Sequence, residues 1–129
     1  MKKKNKLKDV HIKFIPQSEQ RPFAQYGDYW ETEGSIEIRI TIYANPSYSQ
    51  AIAIHELIEK WRNNQIGIKD SDVDQFDKDH PELNDPGWSL DAPYNRTHSE
   101  ADIFERLFIN LSGNNWIEYE KALDNEQVE

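Results

Sequence analysis

The chain has 129 residues and no cysteine. Disulfide bonds and thiolate ligands are therefore excluded, and any transition-metal site must use histidine, aspartate and glutamate. A run of about 18 apolar residues, which a membrane-spanning helix needs, is also missing. No apolar stretch follows the basic N-terminus as it would in a signal peptide. We therefore predict a cytoplasmic protein with no membrane partner.

Positive charge is scarce beyond the first eight residues. The formal net charge is −9, and it falls to about −14 when the five N-terminal lysines are left out. These are Lys2, Lys3, Lys4, Lys6 and Lys8. A body this acidic repels the phosphates of nucleic acids, so a nucleic-acid partner is excluded. We expect a basic flexible tail at 1–8, a single domain at 9–124 and an acidic tail at 125–129.

The first third of the chain predicts a small sheet. Isoleucine occupies every second position from 36 to 42, which is the period of a strand with one buried face. A shorter alternation at 10–14 and an aromatic segment at 26–32 predict two more strands, with a hairpin turn at 33–35. We expect a three-stranded, mostly antiparallel sheet.

Helices follow the predicted sheet, which gives an α+β fold with a central helix and two or three others. Ser47 and Gln50 have the spacing of a capping box and begin the central helix, which ends near Asn63. A second capping box, Thr97 to Glu100, begins a later helix at His98. We expect both helices to pack through their apolar stripes. These are Ala51, Ile54, Leu57, Ile58 and Trp61 in the central helix, and Ile103, Phe104, Leu107, Phe108 and Leu111 in the later one.

The segment 79–96 is irregular and follows a short helix predicted at 71–78. Its three prolines and the Pro86-Gly87 pair exclude long regular structure. Loops of this length in a compact domain are usually functional or disordered, and an aromatic residue such as Trp88 indicates an ordered one. A last amphipathic helix is predicted at 116–123.

The central helix carries a His-Glu-x-x-Glu motif. His55 and Glu59 lie one turn apart on the same face, so a ligand can bind between them, whereas Glu56 points about 100° round the helix. Taken alone, the His55/Glu59 pair is more typical of a helix surface. His98, which opens a later helix, would complete a metal site, or it simply occupies an exposed position in the first turn of that helix.

Two histidines and a glutamate are a ligand set of catalytic zinc sites, which keep one position for water. We predict that His55, Glu59 and His98 bind zinc or another divalent metal. Glu56 would then act as the general base, taking a proton from the attacking water while the metal polarises a carbonyl group.

Asp102 and Glu105 follow His98 in the later helix, on the face that we expect to lie opposite its apolar stripe. Asp102 is either a fourth ligand, which would favour a structural site or a different metal, or a group that orients a histidine. Glu105 lies about 10 Å along the helix from His98, so both cannot hold one ion. We expect Glu105 to form a surface ion pair.

In these residues the chain resembles the zincin-type metallopeptidases in a minimal form. Their active-site helix carries His-Glu-x-x-His, and Glu59 stands here in place of the second histidine. The resemblance implies that the strand at 36–43 presents its edge to an extended peptide. The chain also resembles small phage- and prophage-encoded proteins of unassigned function, which implies a virus-related origin. The motifs that carry this second resemblance are His-Glu-Leu-x-Glu at 55–59, Pro-Gly at 86–87, Ala-Pro-Tyr at 92–94 and the helix led by His98.

The first functional hypothesis is a zinc-dependent hydrolase of peptide or amide bonds, related to phage proteins. The alternative is a non-catalytic binding protein of the same origin, in which a metal ion, or no ion, only fixes the 79–96 loop. Glu56→Gln separates the two, because it abolishes turnover only in a hydrolase. In a third hypothesis His55, Glu59 and His98 never meet, and the acidic surface binds a basic protein partner.

Overall fold

The computed structural model describes residues 7–128, which form a three-stranded sheet and four α-helices. The predicted α+β class is confirmed. The strands are β1 (Asp9–Ile15), β2 (Gly27–Glu31) and β3 (Ser35–Thr41), and the helices are α1 (Pro46–Ile66), α2 (Asp70–Asp79), α3 (Asn95–Leu111) and α4 (Trp116–Asn125). Most of the predicted basic tail lies outside the described residues. Its last residue, Lys8, donates to Glu31 Oε2 at 2.7 Å.

The sheet has the strand order β1-β3-β2. β2 pairs with β3 in antiparallel fashion across the predicted hairpin, whereas β1 pairs with β3 in parallel. The sheet is therefore mixed rather than mostly antiparallel, because alternation predicts which face of a strand is buried but not its direction. β3 is the central strand, so it has no free edge for a peptide. The expectation that 36–43 presents its edge is wrong, and the edge strands are β1 and β2.

The hydrophobic core lies between the sheet and α1. Ile36, Ile38 and Ile40 are buried on the face of β3 that the alternation predicted. Ala51 and Ile52 of α1 belong to the same buried cluster. The core therefore holds the middle of α1 against the sheet, and this fixes the position of the motif that follows these two residues.

The helix starts differ from the predicted capping boxes. At α1 the Asn45 side chain accepts from the Ser47 amide at 3.0 Å, and Pro46 occupies the first turn. α1 ends at Gly67, whose φ of 83° is the left-handed conformation that favours glycine. α3 begins at Asn95 rather than His98. The Thr97 hydroxyl does not cap α3, because it donates to Asn63 Oδ1 of α1 at 2.5 Å.

α3 packs with a largely polar face inward, which contradicts the prediction that its whole apolar stripe faces the core; of that stripe, Phe108 packs against the core. On α3, His98, Asp102 and Glu105 are at most 9% exposed. Most of the predicted apolar stripe of α3 is exposed, namely Ile103, Phe104, Leu107 and Leu111. On α1 the prediction is confirmed in part, because Ala51 is buried in the core and Leu57 packs against it, whereas Trp61 is exposed. His55 and Glu59 are buried as well.

The long loop after α2 contains a short 3-10 turn at Pro86–Trp88. Pro86 and Gly87 are buried against α3, while Trp88 is half exposed. Among residues 7–128, the helices are too short or too polar to cross a membrane.

Candidate metal centre

α1 and α3 bring the three predicted ligands together. His55 Nε2 lies 3.1 Å from His98 Nδ1, and Glu59 Oε1 lies 2.9 Å from that same His98 atom. His55 Nε2 and Glu59 Oε1 are 3.4 Å apart. We call these three atoms, His55 Nε2, His98 Nδ1 and Glu59 Oε1, the triangle. All three side chains are buried. The hypothesis that they never meet is therefore wrong.

The triangle has the dimensions of a metal site. Zinc binds imidazole nitrogen and carboxylate oxygen at about 2.1 Å, which places two ligands of a tetrahedron about 3.4 Å apart. The three separations of 2.9, 3.1 and 3.4 Å approach that value before any adjustment of the side chains. These residues could therefore hold a metal ion.

A buried chain of hydrogen bonds holds Glu59 in place. The Tyr29 hydroxyl donates to Glu59 Oε2 at 2.7 Å and accepts from Asn63 Nδ2 at 2.8 Å. The other end of the Asn63 amide accepts from Thr97 of α3. Because Tyr29 binds Glu59 Oε2, the other carboxylate oxygen, Oε1, faces His55 and His98. Burial would raise the pKa of Glu59, but hydrogen bonds to His55 and His98 lower it to about 2.

Glu105 lies on the other side of His55, and sequence analysis placed it at the surface. It is 7% exposed, and its Oε1 lies 2.6 Å from His55 Nδ1, a close charge contact rather than a well-aligned hydrogen bond. The Tyr119 hydroxyl donates to Glu105 Oε2 at 2.5 Å. Burial lowers the pKa of His55, but Glu105 and Glu59 raise it well above its usual range. Because His55 Nδ1 faces Glu105, His55 Nε2 faces the other two atoms of the triangle, on His98 and Glu59.

The seven-residue spacing between His98 and Glu105 could have predicted that Glu105 faces α1. The distance along α3 correctly prevents Glu105 and His98 from sharing one ion. However, two residues seven apart lie on the same face of a helix, so Glu105 could reach a partner further along α1. That partner is the second nitrogen of His55.

Asp102 lies beside Glu105, away from the triangle. Its Oδ2 accepts from Arg106 Nε at 2.8 Å. Asp102 groups with His55 and Glu105, whereas the triangle consists of His55, Glu59 and His98. Asp102 is therefore not one of the triangle residues, but with His55 and Glu105 it forms a second group that could hold a metal ion.

The loop backbone packs against the His98 ring. A Cβ atom at Gly87 would lie 2.5 Å from His98 Nδ1, so only glycine allows this approach. Asn95 Nδ2 donates to the Gly87 carbonyl at 3.0 Å, and Asp85 Oδ1 lies 3.6 Å from His98 Nε2. Burial lowers the pKa of His98, but Asp85 and Glu59 raise it to about 9. The loop therefore helps to orient the third ligand.

Glu56 lines the same cleft as the triangle. Its carboxylate has no ion pair or side-chain hydrogen bond within residues 7–128, and β2 passes close by at Gly27, where a Cβ atom would lie 2.7 Å from Glu56 Cγ. Burial, together with the nearby charge of Glu59, raises the pKa of Glu56 well above its usual range. Glu56 is therefore a carboxyl group with a displaced pKa beside a cleft, the setting in which general bases are found.

The cleft gives solvent access to the triangle. It has a volume of about 130 Å³, and its lining includes all three triangle residues as well as Glu56 and Trp88. This volume accommodates several water molecules or one side chain. Comparison of the chain with protein-family models, curated proteins and solved structures gives no match. The resemblance to zincins and to phage proteins therefore stays a prediction, and function has to be argued from the site.

Proposed function

We propose that the protein is a metal-dependent hydrolase of peptide or amide bonds, with zinc held by His55 Nε2, His98 Nδ1 and Glu59 Oε1. The observation that carries the proposal is the buried triangle of these atoms, whose sides are 2.9 to 3.4 Å long. Three ligands on the wall of a cleft leave a fourth position open, as in catalytic rather than structural zinc sites.

Two imidazoles and a carboxylate are a ligand set that zinc accepts, as do other divalent transition metals. The contacts around the ligands support the site. Glu105 faces the second nitrogen of His55, and Tyr29 holds the second oxygen of Glu59. Such partners orient metal ligands and strengthen binding.

A zinc ion held by these three residues would supply polarisation of the substrate carbonyl and a more acidic water molecule. Glu56 accepts a proton from that water as its oxygen attacks the carbonyl carbon. The C–N bond then breaks, and Glu56 passes the proton to the departing amine. A pKa raised above the usual glutamate range suits this double role, because the carboxyl group then takes up and releases a proton more readily near neutral pH.

The edge strand β2 is the better candidate for contact with an extended peptide, now that β3 is known to be central. Gly27, Asp28 and Tyr29 of β2 line the cleft beside Glu56. A peptide that pairs with this edge would pass close to the triangle.

The metal content of the purified protein, measured by mass spectrometry, tests the proposal. We expect about one zinc per chain, lost in His55→Ala and in His98→Ala. His11→Ala is the matched control, since His11 is an exposed strand residue and lies outside both metal-binding groups. A chain that stays free of metal after zinc addition, with no gain in thermal stability, would exclude the site.

Glu56→Gln separates the hydrolase from the non-catalytic alternative. The packing of Gly87 against His98 supports that alternative, because an ion bound to His98 would also fix the loop that contains Gly87. For a hydrolase, Glu56→Gln keeps the metal and loses turnover of a peptide library. For a binding protein, the substitution is nearly silent, and metal removal exposes the 80–94 loop to proteases.

A further inference from the structure

Aspartates and glutamates are numerous among the residues that line the cleft. Neither lysine nor arginine occurs among its lining residues in the described part of the chain. Carboxylates in a partly buried site are costly unless cations compensate them. The relevant question is therefore which of them already have a positive partner.

Two arginines outside the lining compensate some of these acids. Arg21 Nε pairs with Asp28 at 2.5 Å, and its Nη1 reaches Asp74 at 3.4 Å. Arg106 pairs with Asp102 at 2.8 Å. Glu59 and Glu105 face histidines and belong to the metal centre.

Four of the lining acids remain without a lysine or arginine partner in residues 7–128, namely Glu56, Asp77, Asp85 and Glu120. Asp77 accepts a hydrogen bond from the Tyr94 hydroxyl at 2.5 Å, and burial raises its pKa to about 7. Asp85 is 3.6 Å from His98 Nε2, and 43% of its side chain is exposed. Neither Asp77 nor Asp85 belongs to the groups in the described part of the chain that could hold a metal.

Trp88 provides an aromatic surface beside Asp85. Its ring lies 4.9 Å from the His98 ring, at an interplanar angle of 89°, and the residue is 47% exposed. Arginine or lysine groups cover Phe23, Trp30 and Trp116 elsewhere in the described part of the chain, but none covers Trp88. A cation that binds an indole face beside a carboxylate gains from both contacts.

On the premise of the proposed function, we propose that the cleft selects peptides with a cationic side chain, whose guanidinium or ammonium group binds between Asp85 and Trp88. The partly exposed carboxylate of Asp85, the uncovered indole and the small cleft act together here. A volume of about 130 Å³ suits one long side chain better than a bulky ligand.

Binding of matched peptides to the zinc-loaded full chain tests this inference. The probes are acetyl-Gly-Arg-Gly-amide and the same peptide with citrulline, which has nearly the shape of arginine but no charge. Calorimetry at low salt, with chromatography to verify that each peptide stays intact, should give about tenfold tighter binding of the arginine peptide. The preference should shrink in high salt.

Asp85→Asn should remove most of this preference, and Trp88→Leu should weaken binding of the arginine peptide. Asp91→Asn is the matched control, since Asp91 is an exposed acid of the same loop and does not line the cleft. Equal affinity for the two peptides, or a preference unchanged in Asp85→Asn, would overturn the inference. Failure of the proposed function would appear separately, as a metal-free chain or an absence of turnover.

Discussion

The two faces of α3 differ in polarity. Most of the buried side chains on its inner face are polar, whereas its outer face exposes large apolar side chains. On the inner face His98, Asp102 and Glu105 are buried against α1 and α4. On the outer face Ile103 and Leu111 are 65% and 76% exposed. Burial on this helix therefore follows the partners that each side chain meets rather than its hydropathy.

The inner face is stable because its polar groups are paired across helices. Glu105 contacts both His55 and Tyr119, and His98 contacts Glu59. A buried polar network is acceptable when its members are satisfied, and costly when one partner is missing. The exposed apolar side chains of the outer face accompany this arrangement.

Truncation of an apolar side chain on each face should give the largest contrast. Ile109 lies on the inner face and is fully buried, so Ile109→Ala should lower the free energy of unfolding by about 2–5 kcal/mol. Leu111→Ala on the outer face should change it by less than about 0.5 kcal/mol. Urea denaturation measures both. Similar losses in the two variants would show that the outer face is also covered.

Removal of one polar partner should have the next largest effect. Tyr119→Phe leaves the buried Oε2 of Glu105 without its donor, which should cost about 1–3 kcal/mol. It should also weaken metal binding by about tenfold, because Glu105 orients His55. The matched control is Tyr48→Phe, since the Tyr48 ring packs on Tyr119 at 5.1 Å but its hydroxyl makes no hydrogen bond within residues 7–128. If Tyr119→Phe changes neither the free energy of unfolding nor the metal affinity, Glu105 does not support metal binding.

The sequence was sufficient to predict the strands and the three residues that meet at the candidate site. The isoleucine alternation predicted β3 and its buried face, and the spacing of His55 and Glu59 placed both on one face of α1. Residue types restricted the third ligand, because the chain has only four histidines and no cysteine. These features are local, so a sequence pattern contains them.

The orientation of α3 could not be predicted in the same way. Its periodicity is amphipathic, but periodicity alone does not say which face is buried. That depends on Thr97 bonding to Asn63 and on Glu105 meeting His55, and both contacts join segments that are more than 30 residues apart. The parallel pairing of β1 with β3 is a long-range feature of the same kind.

The smallest effect should be a difference in pH dependence between the cleft and the outer edge of the α1–α3 pair. Burial raises the pKa of Asp77 in the cleft to about 7. At the outer edge, the hydrogen bond from Arg62 lowers the pKa of Glu100. The two carboxyl groups should therefore affect stability with opposite signs.

Because the pKa of Asp77 is raised on folding, its stabilising contribution is complete below pH 3.8 and is lost as pH rises through about 7. Asp77→Asn should then be more stable than the parent by about 1–2 kcal/mol at pH 8 and equal to it near pH 4, since solvent access reduces the full effect of the shift. Glu100→Gln should instead lose stability at pH 7 and little at pH 3, because a lowered pKa contributes only above its unfolded value. Urea titrations of the metal-free protein at these pH values measure both, and Asp91→Asn is the exposed control. If Asp77→Asn is destabilising at pH 8, Asp77 has a cation partner, and the cleft is not short of positive charge.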